Sequence, residues 1–130
     1  MATCRVLLVE DNVDNLALVR FLLERAGYGV IEAHNGVQGV ELARKEIPDL
    51  ILMDLTLPEL DGWAAAEQLK ADEKTASIPL LALTAHTLPG DRKRALESGF
   101  DGYISKPINV PAFAEEITGA LKKAGRSIQG

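Results

Sequence analysis

The chain has 130 residues, is 47% hydrophobic and carries a formal net charge of −5, enough apolar material to close one core and too little length for two comfortable ones. The acidic balance argues against direct nucleic-acid binding, which normally needs clustered lysine and arginine to neutralise phosphates. The longest apolar runs, Val6 to Val9 and Asp49 to Leu57, are strand-length and fall far short of the roughly 20 residues that cross a bilayer, so no membrane span is expected. Met1-Ala2-Thr3-Cys4-Arg5 leads straight into a strand pattern without the basic, apolar and small-residue layout of a secretion signal, and a cytoplasmic protein is expected. The single cysteine, Cys4, has no disulfide partner and no metal-ligand neighbour in sequence, which reads as a reduced, partly buried small side chain.

Arg5 to Val9, RVLLV, is a short apolar run; from Val13 to Ala26 the period then changes, placing Leu16, Val19, Leu23 and Ala26 on one helical face. The alternation repeats. Strand patterns at Tyr28 to Ala33, Asp49 to Asp54, Pro79 to Thr84 and Gly102 to Ser105 are each followed by a helical pattern, at Val37 to Lys45, Gly62 to Ala71, Pro89 to Ser98 and Val110 to Lys123. Gly27, Pro48, Gly99 and Pro107 punctuate the joins, with Asn35-Gly36 and Asp61-Gly62 as turn or cap signals. One domain is expected over 1–124, followed by a small polar tail, 125–130, that frays.

Strict strand–helix alternation calls for a parallel sheet covered by helices on both faces, because right-handed crossovers leave few other solutions. RVLLV, DLILM and PLLAL are continuous apolar runs, as central strands buried on both faces require. YGVIEA mixes polar and apolar residues and suits an edge. That distribution predicts a five-stranded parallel sheet in the order 2-1-3-4-5, the flavodoxin-like doubly wound α/β fold, over a Rossmann order.

In such sheets ligands bind beyond the carboxyl ends of the strands, and here those ends are polar. The first strand runs into Glu10-Asp11, the third ends in Asp54, the fourth in Thr84 and the fifth in Ser105-Lys106; the edge strand ends in Ala33-His34 and lacks the pattern. Three carboxylates crowded together repel one another unless a cation intervenes. Mg²⁺ keeps several waters and takes one or two carboxylates plus phosphate oxygens, so Glu10, Asp11 and Asp54 suit Mg²⁺ with a phosphoryl partner, whereas Ca²⁺ wants more oxygens. Lys106 supplies a positive charge and Thr84 a hydroxyl donor for phosphoryl oxygens. A carboxylate can itself attack phosphorus and form an acyl phosphate, and Asp54, at the end of a buried strand, is the natural nucleophile.

From VLLVEDN through LILMDLTLPELDGW and LALTAH to GYISKPI, nearly the whole chain resembles the response-regulator receiver family. Each piece alone is weak, but the ordered set of acidic pair, Asp, Thr and Lys-Pro is specific. The resemblance implies Asp54 as phosphoacceptor, Glu10 and Asp11 as the Mg²⁺ pair with the Thr56 carbonyl completing the metal shell, Thr84 as switch hydroxyl, Lys106 as phosphoryl-binding lysine and Tyr103 as switch aromatic. Thr56 and His86 occupy positions that tune phosphoryl lifetime. It also implies a phosphohistidine donor on a sensor histidine kinase or phosphotransfer protein, a receiver that assists its own phosphorylation and hydrolysis, and a remodelled fourth helix whose core, DRKRALE, has few apolar residues to fix it. Output passes to an unknown downstream protein, and a homodimer is compatible with this reading. Leu18 and Phe21, at the margin of the first helix's buried stripe, read equally as a wide core face or as a docking surface for a kinase's helical bundle.

Blander readings stand beside these. Glu10 and Asp11 can be solvated charges at a helix N-terminus, where carboxylates are favoured. Thr84 can cap a turn, Lys106 can be a surface lysine, and Tyr103 can be a packed aromatic. His34 and His86 read as surface residues, and Trp63 as the anchor of the third helix. An aspartyl phosphatase of the haloacid-dehalogenase kind needs a second Asp where this chain has Thr56, and neither GxGxxG nor GxxxxGK[ST] occurs. The remaining alternatives are a receiver-like interaction module that does not phosphorylate and the receiver portion of a hybrid histidine kinase.

Overall fold

In the computed structural model the apolar runs become strands β1 (Arg5–Val9), β2 (Gly29–Ala33), β3 (Leu50–Asp54), β4 (Leu80–Thr84) and β5 (Gly102–Ser105). Helices α1 (Val13–Arg25), α2 (Gly36–Glu46) and α3 (Gly62–Ala71) follow β1, β2 and β3, and α4 (Val110–Lys123) follows β5. The structure describes residues 4–55, 62–84, 93–94, 96–105 and 108–123. Half of the helix expected over 89–98 lies outside them; of its described residues Lys93, Arg94, Leu96 and Glu97 are helical and Ser98 is in a turn.

All five strands pair in parallel in the order β2-β1-β3-β4-β5, as the sequence predicts. Alternation along the strands sorts the core into two layers. Leu7, Val9, Ile51, Met53, Leu80 and Ala82 face α2 and α3, meeting Val40, Ala43, Ala65, Ala66 and Leu69. Val6, Leu8, Leu50, Leu52, Leu81 and Leu83 face α1 and α4, meeting Leu16, Val19, Leu23, Phe113, Ile117 and Leu121. Every residue of β3 and β4 is buried, whereas β2 is half-buried until Ala33, the signature of an edge.

Element ends differ from the sequence reading by a residue or so, for local reasons. Tyr28, expected at the start of a strand, instead closes the turn after α1: its N–H donates to the Leu23 carbonyl at 3.0 Å, with Gly27 at φ +96° making the reversal. Its buried ring extends to Thr118 of α4, hydroxyl to hydroxyl at 3.0 Å, and so ties α1's end to the last helix. Cys4 is more buried than expected and belongs to the α1/α4 core layer. Leu18 and Phe21 lie outside that layer: they are 42% and 57% exposed, which overturns the reading of a wide core face for them.

Candidate functional site

β1 and β3 run side by side with Val9 opposite Met53, so the next residues, Glu10 and Asp54, emerge together at the carboxyl edge of the sheet. The Glu10 N–H donates to the Ala33 carbonyl at 3.0 Å, which carries the β1–β2 ladder one residue past the strand. Asn12 then caps α1, its Oδ1 accepting the Asn15 N–H at 3.0 Å while its own N–H donates to Glu10 Oε1 at 3.3 Å. Asp11 is therefore fixed between a strand end and a helix cap.

Glu10, Asp11 and Asp54 each offer a carboxylate oxygen, and these oxygens all lie within 4.8 Å of one another. Glu10 is fully buried and Asp54 nearly so, whereas Asp11 is exposed to solvent. The solvated-charge reading fails for Glu10, because a carboxylate removed from water needs compensation. An octahedral ion that holds oxygens at about 2.1 Å separates opposite ligands by about 4.2 Å, the scale of this cluster. The donor set is all oxygen and formally trianionic when ionised, which fits a hard divalent cation such as Mg²⁺ and leaves one side, at Asp11, open to water and incoming groups.

Thr84, the last residue of β4, is buried and pairs with Ser105 of β5, one step beyond the pairing of Asp54 with Leu83. It therefore lies next to Asp54 at the same edge of the sheet. Tyr103, opposite Ala82 on β5, packs against the α2/α3 core layer with its hydroxyl oxygen buried. Thr56, Lys106 and His86 fall outside the described residues. His34 is exposed, as read from sequence, and its backbone N–H donates to Gln38 Oε1 at 2.9 Å.

Two contacts behind the site were not visible in the sequence. Gly62 opens α3 directly against the end of β3: its N–H donates to the Leu55 carbonyl at 3.2 Å, and a Cβ there would press on the Asp54 carbonyl oxygen and stand 2.8 Å from the Leu55 Cα. The Asp61-Gly62 pair signalled a turn, but not this approach. Trp63, the next residue, packs on the core face as an anchor of α3, with the Phe100 ring perpendicular to it at 6.1 Å between centroids and the Arg94 guanidinium carbon over its ring, 4.2 Å from the centroid.

A parallel 2-1-3-4-5 sheet with an acidic cluster at the carboxyl ends of β1 and β3 and a buried threonine at the end of β4 defines a receiver domain. The model of the response regulator receiver domain matches residues 6–118, and the chain belongs to that family, which places it in two-component signalling. The polar-differentiation response regulator DivK of Brucella anthropi is 45% identical over 119 residues, covering 92% of this chain and 97% of its own length. Its namesake in Brucella ovis is 45% identical over 122 residues, covering 94% and 99%. Among solved structures, the receiver domain of a sensor histidine kinase from Pseudomonas aeruginosa PAO1, crystallised with a magnesium ion coordinated in its active site cleft, superposes with a TM-score of 0.86 at 36% identity, covering 93% of this chain and 99% of its own. The chemotaxis protein CheY4 of Vibrio cholerae superposes with a TM-score of 0.86 at 26% identity, covering 92% and 99%. No helix among the described residues is long and apolar enough to cross a membrane.

Proposed function

We propose that this receiver is a Mg²⁺-dependent phosphorylation switch in which Asp54 accepts a phosphoryl group from a phosphohistidine on a sensor histidine kinase or phosphotransfer protein. The observation that carries the reading is the convergence of Glu10, Asp11 and Asp54 within 4.8 Å at the carboxyl edge of the sheet. A structural role does not require three carboxylates there, and their mutual repulsion destabilises the fold unless a cation offsets it.

In the proposed reaction a carboxylate oxygen of Asp54 attacks phosphorus in line with the phosphohistidine nitrogen; the P–N bond breaks, the imidazole leaves and takes a proton, and an acyl phosphate remains on Asp54. Hydrolysis by water later returns the carboxylate and releases phosphate. Glu10, Asp11, Asp54 and the Thr56 carbonyl would hold Mg²⁺, which would supply positive charge against the phosphoryl oxygens. Burial of Asp54 at the end of β3 leaves its carboxylate few orientations, which reduces the entropy lost on reaction. Thr84 donates its hydroxyl to a phosphoryl oxygen, Lys106 balances the charge, and Tyr103 responds as the switch aromatic. Thr56 and His86 set the lifetime of the acyl phosphate. The chain works in the cytoplasm, and its output is a changed protein-binding surface.

The test is intact mass after incubation with acetyl phosphate. One added phosphoryl group is expected with Mg²⁺, none after chelation, and none in Asp54→Ala. An adduct that survives in Asp54→Ala would overturn the assignment, and a wild type that never acquires the group would mark the chain as an interaction module.

A further inference from the structure

Trp63 connects three parts of the molecule. The residue before it, Gly62, lies against the backbone of Asp54 and Leu55 with no side chain between. The indole stands perpendicular to the ring of Phe100, which is buried and leads into β5, the strand that carries Tyr103. The face of the ring is covered by the guanidinium of Arg94 at 4.2 Å, from the segment between β4 and β5.

The part of it that carries Arg94 has little else among its described side chains to hold it, although Phe100, further along, is buried. Lys93, Arg94, Leu96 and Glu97 are all exposed, with Leu96 at 51%, and the Lys93 ammonium stands 4.0 Å from Glu97 within the same helical stretch. With these described side chains in solvent, specific contacts take a larger share in holding this stretch. A cation over an indole face is one of them, because the ring quadrupole presents negative charge there. The other end of the connection is stiff: a backbone-to-backbone approach such as that of Gly62 to β3 cannot absorb displacement as a side chain could.

We propose that the Arg94–Trp63 stack is a latch through which the state of Asp54 and the placement of the 93–98 segment control one another, with α3's first turn as the connecting piece. The proposal rests on the reading of Asp54 as phosphoacceptor and adds Arg94 and Trp63 as residues that position rather than react. Coupling of this kind is reciprocal: if a change at Asp54 strains the stack, loss of the stack makes that change easier.

Wild type, Arg94→Ala and Lys93→Ala are labelled with acetyl phosphate and Mg²⁺, following adduct mass and Trp63 emission; Trp63 is the only tryptophan. Lys93→Ala removes an equal charge from the same turn and controls for general electrostatics. Arg94→Ala is expected to label about two- to fivefold faster than wild type, the range a solvent-exposed cation–π contact supplies, while Lys93→Ala labels like wild type. Emission is expected to change on labelling in wild type and to stand already displaced in Arg94→Ala before any donor is added. If wild type takes up the phosphoryl group but Arg94→Ala labels no faster, or its emission responds as wild type does, the latch is overturned and the function stands. A wild type that takes up no phosphoryl group overturns the function, and the latch with it.

Discussion

Gly62 shows how narrowly the position of Asp54 is set. Its α-carbon occupies space in which a methyl group would meet the Asp54 carbonyl oxygen and the Leu55 Cα, the latter at 2.8 Å, and both are backbone atoms that cannot rotate away. Gly62→Ala is expected to destabilise the fold by about 1–3 kcal/mol, as overpacking does, and to slow acetyl phosphate labelling in the molecules that remain folded. Urea denaturation read against the labelling rate checks both, and a variant matching wild type in each would show that α3 is free to retreat. The neighbouring acids divide their roles by burial. Glu10 is enclosed and accepts the Asn12 N–H, whereas Asp11 meets solvent, so adjacent carboxylates of the same chemistry have different surroundings.

Helix ends carry much of the structure's polar detail. At the end of α3, Asp72 accepts the Lys74 N–H at 2.9 Å and, from α2, the Arg44 Nε–H at 2.7 Å, while its carbonyl accepts the N–H groups of Thr75 and Ala76. The Lys74 amide first, and Arg44 after it, hold the Asp72 carboxyl below its ordinary value of 3.8, against the opposing effect of burial. A carboxyl lowered by folding stabilises the native state above its unfolded value and loses that contribution as pH falls through the folded one. Asp72→Asn is therefore expected to unfold at lower denaturant than wild type at neutral pH, with the gap closing as the solution is taken below pH 3.8. Urea midpoints measured along the pH series check the sign; a gap that stays constant to the lowest pH would mean the carboxylate charge plays no part.

For the molecule as a whole, the question is how a partner reaches the site. Helix α1 starts two residues after Asp11, buries Leu16, Val19 and Leu23, and presents Val13, Leu18 and Phe21 to solvent, Val13 at 76%. Receivers act with histidine kinases or phosphotransfer proteins, and exposed apolar side chains on the helix that follows the acidic pair suit the helical surface such a partner offers. Phe21→Glu is expected to reduce phosphoryl transfer from a phosphohistidine protein by more than about tenfold, the effect of losing a buried aromatic anchor, and to leave labelling by acetyl phosphate unchanged. Rates measured with the two donors side by side decide it: equal losses would place Phe21 in the fold or the chemistry, and no loss would move docking elsewhere.

The strands, the four helices described in full, the central and edge positions and the sheet order were legible along the chain, because they follow from apolar periodicity, run length and the handedness of crossovers. The sequence also placed Glu10, Asp11, Asp54 and Thr84 at strand ends, since a polar residue that interrupts an apolar run marks where the run stops. Packing between elements set the rest: which of the adjacent acids is buried, that Tyr28 closes a turn and reaches α4, that Leu18 and Phe21 face solvent, and that Gly62 and Arg94 stand where they do. Those contacts join residues from separate elements. They depend on how closely helices approach the sheet, a distance set by the packing of all the side chains between them and not by the order of residues along any one segment.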